Sequence, residues 1–177
     1  ILSRRTRTPW SAEERRLLEW SAREVAAAMG RANALEVAER GATTDALTGL
    51  PNRRAFEALI GSLHGGRRAG DALAILMADI DRFKDLNDRY GHATGDAVLR
   101  AVAGAIASVL REGDVAARHG GEEFAVVLRD TEVGEAAAVA ERLRHAVAGL
   151  APAALGTDGP VTVSVGVAGA LPGERAA

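Results

Sequence analysis

The chain has 177 residues, 47% hydrophobic and 26% charged, with a net charge of −2 at neutral pH. That length suits one domain with its own core plus an appendage, and the charge balance lacks the basic excess of a nucleic-acid binder. Without cysteine there are neither disulfides nor thiolate metal sites, no apolar run reaches bilayer length, and the opening ILSRRTRTPW is no signal peptide. The expectation is a cytoplasmic fragment of a longer protein, cut at both ends.

Pro9 and Ser11 followed by Glu13 and Glu14 predict a helix start, with acids in its first turn. The Ala-, Glu- and Arg-rich stretch to about Arg40 continues it. Leu18, Ala22, Val25, Met29 and Ala32 follow a 4-3-4-3 spacing, a seam that fits either a partner helix or the chain's own domain. Gly41 ends this helix. Turn formers from Thr43 to Arg54 follow, and Pro51 is expected to open a short helix to about Leu63.

Leu73 to Ile80 (LAILMADI) is a continuous apolar run, expected as a strand buried on both faces. A helix begins in IDRFKDLN, turns at Gly91-His92, and resumes over Thr94 to Leu110, where Val98, Leu99, Val102, Ile106 and Val109 keep helical spacing. Val115 to Arg118 and Phe124 to Leu128 flank Gly120-Gly121 as a hairpin. Val133 to Leu150 is an amphipathic helix, and VTVSVGVA (161–168) alternates as a last strand. The order βαββαβ is ferredoxin-like, an α+β core with a mainly antiparallel sheet, as in palm-type nucleotidyl cyclases.

This order makes a site. Each strand–helix–strand unit keeps its strands parallel and the hairpin reverses direction, so the first strand runs antiparallel to the third. Asp79, ending the first, should then meet Glu122 and Glu123 at the start of the third. Carboxylates held together need a cation, and hard oxygen ligands point to Mg²⁺. The helix start after Asp79 offers free N–H groups to phosphate, with Lys84 adding positive charge. Asn87 and Asp96 bracket the Gly91 turn, and an amide beside a carboxylate can read a guanine edge, although Asp96 could equally cap its helix.

From Asp45 to Ala168 the sequence resembles the GGDEF family of diguanylate cyclases, through DALTGLPNRR (45–54), DIDRFKDLND with YGHATGD (79–96), RHGGEEF (118–124) and VSVGVA (163–168). The resemblance implies that Asp79, the Ile80 backbone carbonyl, Glu122 and Glu123 bind two Mg²⁺ ions per site, with Mn²⁺ an acceptable substitute. Asn87 and Asp96 would read guanine, and Phe83, Lys84 and His92 would line the nucleotide. Glu122, in the third position of the signature, would be the base, with Asp79 and Lys84 also catalytic. Two GTP molecules would become cyclic di-GMP and pyrophosphate, one GTP per domain, so the active species would be a homodimer. Arg111 and Asp114, with five residues between Asp114 and Gly120, match the family's R-x-x-D product-inhibition site, joined by Arg142.

Family members continue past the last strand with a helix carrying Lys and Arg near the triphosphate, so that element is expected beyond Ala177. Upstream, RTPWSAEERRLLEWSAREVAAAMGRAN resembles the last helix of a GAF-type sensor entering a linker. The division expected is therefore 1–42, a signalling helix, and 43–177, the cyclase domain, with no membrane segment and no nucleic-acid partner. Two rival readings are a catalytically inactive domain that serves as cyclic di-GMP receptor or dimerisation module, and a palm-type polymerase, which lacks the basic surface for a template.

Overall fold

The computed structural model describes residues 43–66 and 72–170, together with Ser11, Glu13, Ala22, Glu24, Val25 and Met29. Contacts divide the chain into two units between Arg40 and Gly41. The expected N-terminal helix otherwise lies outside the described residues. Within its seam Ala22, Val25 and Met29 are helical, with Val25 and Met29 58% and 68% exposed.

The second unit runs α1 (Arg53–Gly66), β1 (Leu73–Ile80), α2 (Phe83–Tyr90), α3 (His92–Val109), β2 (Val115–Arg118), β3 (Glu123–Arg129), α4 (Val133–Ala148), α5 (Pro152–Leu155) and β4 (Val163–Ala170). The four strands form one sheet ordered β2-β3-β1-β4. β1 pairs antiparallel with both β3 and β4, and β2 antiparallel with β3. This is the expected α+β arrangement, with β1 set between β3 and β4.

Alternation along the strands builds two cores, because successive side chains point to opposite faces. Ala74, Leu76, Ala78 and Ile80 of β1, with Phe124, Val126 and Leu128 of β3, pack against Val98, Val102 and Ile106 of α3 and Leu143 and Val147 of α4. Phe124 is fully buried, which is worth about 1.5–3 kcal/mol relative to exposure. On the other face a smaller cluster joins Leu73, Ala117, Ala125 and Val127 to Phe56 of α1.

Here the sequence expectation needs correction. β1 is not covered on both faces throughout: Met77 is 38% exposed and Asp79 is open, so the second face is bare toward the strand's C-terminal end. That bare end is where the acidic residues stand.

Two boundaries also move. α1 starts at Arg53, two residues after Pro51, because Asn52 is the cap: its side-chain oxygen accepts from the Ala55 N–H at 3.1 Å, while Pro51 bridges Thr44. β4 runs from Val163 to Ala170, two residues later than the alternating segment 161–168, and just before it the Asp81 N–H donates to the Thr162 carbonyl at 3.0 Å. The short α5 lies between α4 and β4, in a stretch to which the sequence reading assigns no element. No helix among the described residues is long and apolar enough to cross a membrane.

Candidate active site

The site grows from the register of β1 on β3. Asp79 lies directly opposite Glu123, the last pair of that ladder, and on its other side Asp79 faces Ser164 of β4, one pair before that ladder ends. The next peptide is held by the hairpin, since the Ile80 N–H donates to the Glu122 carbonyl at 3.4 Å. The Ile80 side chain is buried, so only its backbone can serve a ligand. A Cβ on Gly120 would overlap the Glu123 carboxylate, so the absence of a side chain there lets Glu123 fold back over the hairpin.

Asp79 bears the electrostatic consequence. Desolvation, then the charges of Glu123 and Asp81, hold its carboxyl above the ordinary aspartate value. Among the described residues no three acidic or histidine side chains already surround one point where an ion could sit. The donors present are hard oxygens under mutual repulsion, and they fit a cation that takes one or two carboxylates and completes its shell with phosphate and water, which is Mg²⁺ chemistry.

Glu122 precedes Glu123 and serves a different surface. It lines a cleft of about 540 Å³ with Phe83, Lys84, Asn87, His92 and Asp96, so every residue expected to line the nucleotide shares one cavity with the expected base. Asp79 and Glu123 adjoin this cleft through the Ile80–Glu122 hydrogen bond and do not line it.

Local backbone explains the gathering. Gly91 at φ 82° ends α2 and starts α3, a conformation suited to glycine. One turn later Gly95 is buried, and a Cβ there would overlap the Asn87 carboxamide. Asn87 therefore packs against α3 beside Asp96. Gly91 is the N-cap of α3 and makes no side-chain cap bond, so Asp96 is not the capping residue.

Sequence reasoning missed Arg118, a wall of the same cleft. Its guanidinium donates to both Asp45 oxygens at 3.1 Å and to the Gly121 carbonyl at 2.7 Å, while its N–H donates to the Pro51 carbonyl at 2.9 Å. Burial pushes the Asp45 carboxyl up, but hydrogen bonds from Thr48 and Arg118 outweigh it and leave the value lowered. The segment 45–52 is thereby fastened to the hairpin that carries Glu122. Only an acid and an arginine in separate motifs hinted at it.

A second cavity, about 360 Å³, is lined by Arg111, Asp114 and Arg142 together with Thr131 and Glu135. Arg111 donates to the Thr131 hydroxyl at 2.8 Å and to the Arg129 carbonyl, and its Nε lies 3.5 Å from Asp114. The Asp114 Oδ1 is buried and accepts no hydrogen bond.

A family model described as "Diguanylate cyclase, GGDEF domain" matches residues 42–177. Diguanylate cyclase A of Treponema denticola is 40% identical over 158 residues, covering 87% of this chain and 42% of that protein. Response regulator PleD of Caulobacter vibrioides is 46% identical over 109 residues, 61% of this chain and 24% of PleD. The chain thus spans less than half the length of these relatives. Among solved structures, the coiled coil and GGDEF domain of DgcB from Caulobacter crescentus, in complex with c-di-GMP, has a TM-score of 0.76 at 34% identity and covers 89% of this chain and 85% of that one.

Proposed function

This chain belongs to the GGDEF family of diguanylate cyclase domains, and from that membership we propose that it condenses two GTP molecules into cyclic di-GMP, releasing pyrophosphate. The observation that carries the reading is the meeting of Asp79 with Glu123 beside a single cleft that gathers Phe83, Lys84, Asn87, His92, Asp96 and Glu122.

Asn87 and Asp96 bind the guanine edge, the carboxylate accepting from the ring N–H and exocyclic amine. Lys84 and the free N–H groups opening α2 take the phosphates. Asp79, the Ile80 carbonyl, Glu122 and Glu123 would hold Mg²⁺, or Mn²⁺ in its place, two ions per site. When bound, the cations neutralise phosphate charge and assist the leaving group. Glu122 takes the proton from the 3′-hydroxyl of one GTP as that oxygen attacks the α-phosphorus of the other, and the P–O bond to pyrophosphate breaks. A second round closes the ring. A cleft of about 540 Å³ is the size of one small-molecule site, so each domain brings one GTP and two domains must face each other.

Control enters from the upstream side. The Asp45–Arg118–Gly121 chain of contacts joins the first segment of the domain to the catalytic hairpin, a route by which an upstream sensor and a pairing helix act on Glu122. Product binds at Arg111, Asp114 and Arg142 and restrains the approach of the two domains. GTP as substrate sets the domain in the cytoplasm. A second reading, a cyclic di-GMP receptor without turnover, is favoured by that same Arg111 cavity.

The test is incubation with GTP and Mg²⁺, with products resolved by chromatography and mass. Cyclic di-GMP and pyrophosphate are expected from GTP, and no cyclic product from ATP alone. Unconsumed GTP beside tight cyclic di-GMP binding would favour the receptor instead.

A further inference from the structure

The turn joining β1 to α2 is held by a residue outside the nucleotide cleft. Asp81 follows the last residue of β1, and each of its carboxylate oxygens takes one hydroxyl. Oδ2 accepts from Thr162 Oγ1 at 2.6 Å and Oδ1 from Ser164 Oγ at 2.6 Å. Its N–H donates to the Thr162 carbonyl at 3.0 Å, while the preceding Ile80 N–H donates to Glu122. The Ile80–Asp81 step is therefore tied to the hairpin through one residue and to the entry of β4 through the next. Short hydroxyl–carboxylate bonds belong to the strong, charge-assisted class. Ser164 first, then Thr162, hold the Asp81 carboxyl below its ordinary value.

The clamp has a strained turn to hold. Arg82 sits at φ 56° and ψ 33°, the left-handed region that a non-glycine residue occupies only where its surroundings enforce it. Arg82 is also the N-cap of α2 and makes no side-chain cap bond, so capping does not fix the turn. Its ion pair with Asp85, at 2.9 Å, is solvent-exposed and contributes little. Asp81 lines a separate hollow of about 480 Å³ with Arg89 and Asp158, against the face of α2 turned away from Asn87.

We propose that Asp81 is a positioning residue for the reaction. It sets Asp79, the Ile80 carbonyl and the first N–H groups of α2 against β4 without touching nucleotide. The proposal rests on the reading that this end of the sheet binds GTP.

Three variants of the whole chain test it: Asp81→Ala, Asp81→Asn, and Thr162→Val with Ser164→Ala, which removes the same bonds from the other side. Asparagine keeps the shape and can accept from one hydroxyl while donating to the other. Misplacement on the ångström scale lowers rates steeply, so Asp81→Ala and the hydroxyl double variant should each lose roughly 10- to 100-fold in kcat, with Asp81→Asn within about threefold of wild type. The measurement independent of turnover is amide hydrogen exchange without nucleotide at Ile80 and Leu86, whose N–H groups donate to Glu122 and Arg82 on either side of the turn, expected faster in the first two and unchanged in Asp81→Asn. Wild-type kcat with unchanged exchange in Asp81→Ala overturns the proposal. So does an Asp81→Asn loss equal to that of alanine, which would make charge the operative feature. A wild-type protein that makes no cyclic di-GMP defeats the functional reading instead, and the exchange rates then decide the clamp alone.

Discussion

The two ends of β1 and β3 follow opposite electrostatic plans. At one end Asp79 faces Glu123 with Asp81 nearby, and the Asp79 carboxyl is pushed up by desolvation and by those charges. At the other, where Leu73 faces Arg129, Arg111 already donates to the Arg129 carbonyl and Thr131 and lies beside Asp114. A step of six residues along the strand, about 20 Å, separates the two. The first end carries repulsion that a ligand must relieve, whereas the second satisfies its guanidinium with the protein's own acceptors. Under the proposed function, a ligand at the first end is required for chemistry, and one at the second only modulates it.

The strongest way to break this contrast is Glu122→Gln, which keeps shape and removes the proposed proton acceptor. Cyclic di-GMP formation should fall by about 10²–10⁴-fold while the thermal melt stays in place. An unchanged rate would remove the base from the account. Gly95→Ala sharpens the contrast at the guanine site. The new methyl displaces the Asn87 carboxamide, so KM for GTP should rise about tenfold, the loss of roughly one hydrogen bond, with cyclic di-GMP affinity at the Arg111 cavity untouched. Equal weakening at both ligands would show a global effect.

Much of this was legible in the sequence for physical reasons. The apolar run 73–80 and the Gly-Gly hairpin mark β1 and β2 to the residue, and βαββαβ order alone brings Asp79 to Glu123. What was not legible depends on partners distant in sequence. The Asp45–Arg118 contact spans 73 residues and the Asp81–Thr162 contact 81, and no local spacing encodes either. Asn52 was overlooked as a cap because proline before it is also a helix opener. The bare second face of β1 could not be read from an apolar run, since Met77 is as hydrophobic as its buried neighbours.

The smallest expected effect is on stability. The folded Asp79 carboxyl binds its proton more tightly than the unfolded one, so its cost is absent below the ordinary aspartate value and complete once pH exceeds the raised one. In chelator, the melting temperature of Asp79→Asn should therefore gain on wild type as pH rises through that window, and added Mg²⁺ should close the gap. Asp45 and Asp81, whose values are lowered, act in both proteins and cancel. A gap independent of pH would remove the repulsion from the account.

The most direct measurement compares the two ends in one assay: initial rates of cyclic di-GMP synthesis from GTP and Mg²⁺ for wild type, Asp79→Asn and Arg111→Ala, read before product accumulates. The account predicts that Arg111→Ala runs at the wild-type rate and that Asp79→Asn falls to background. Wild-type turnover in Asp79→Asn, or equal loss in both variants, would contradict it.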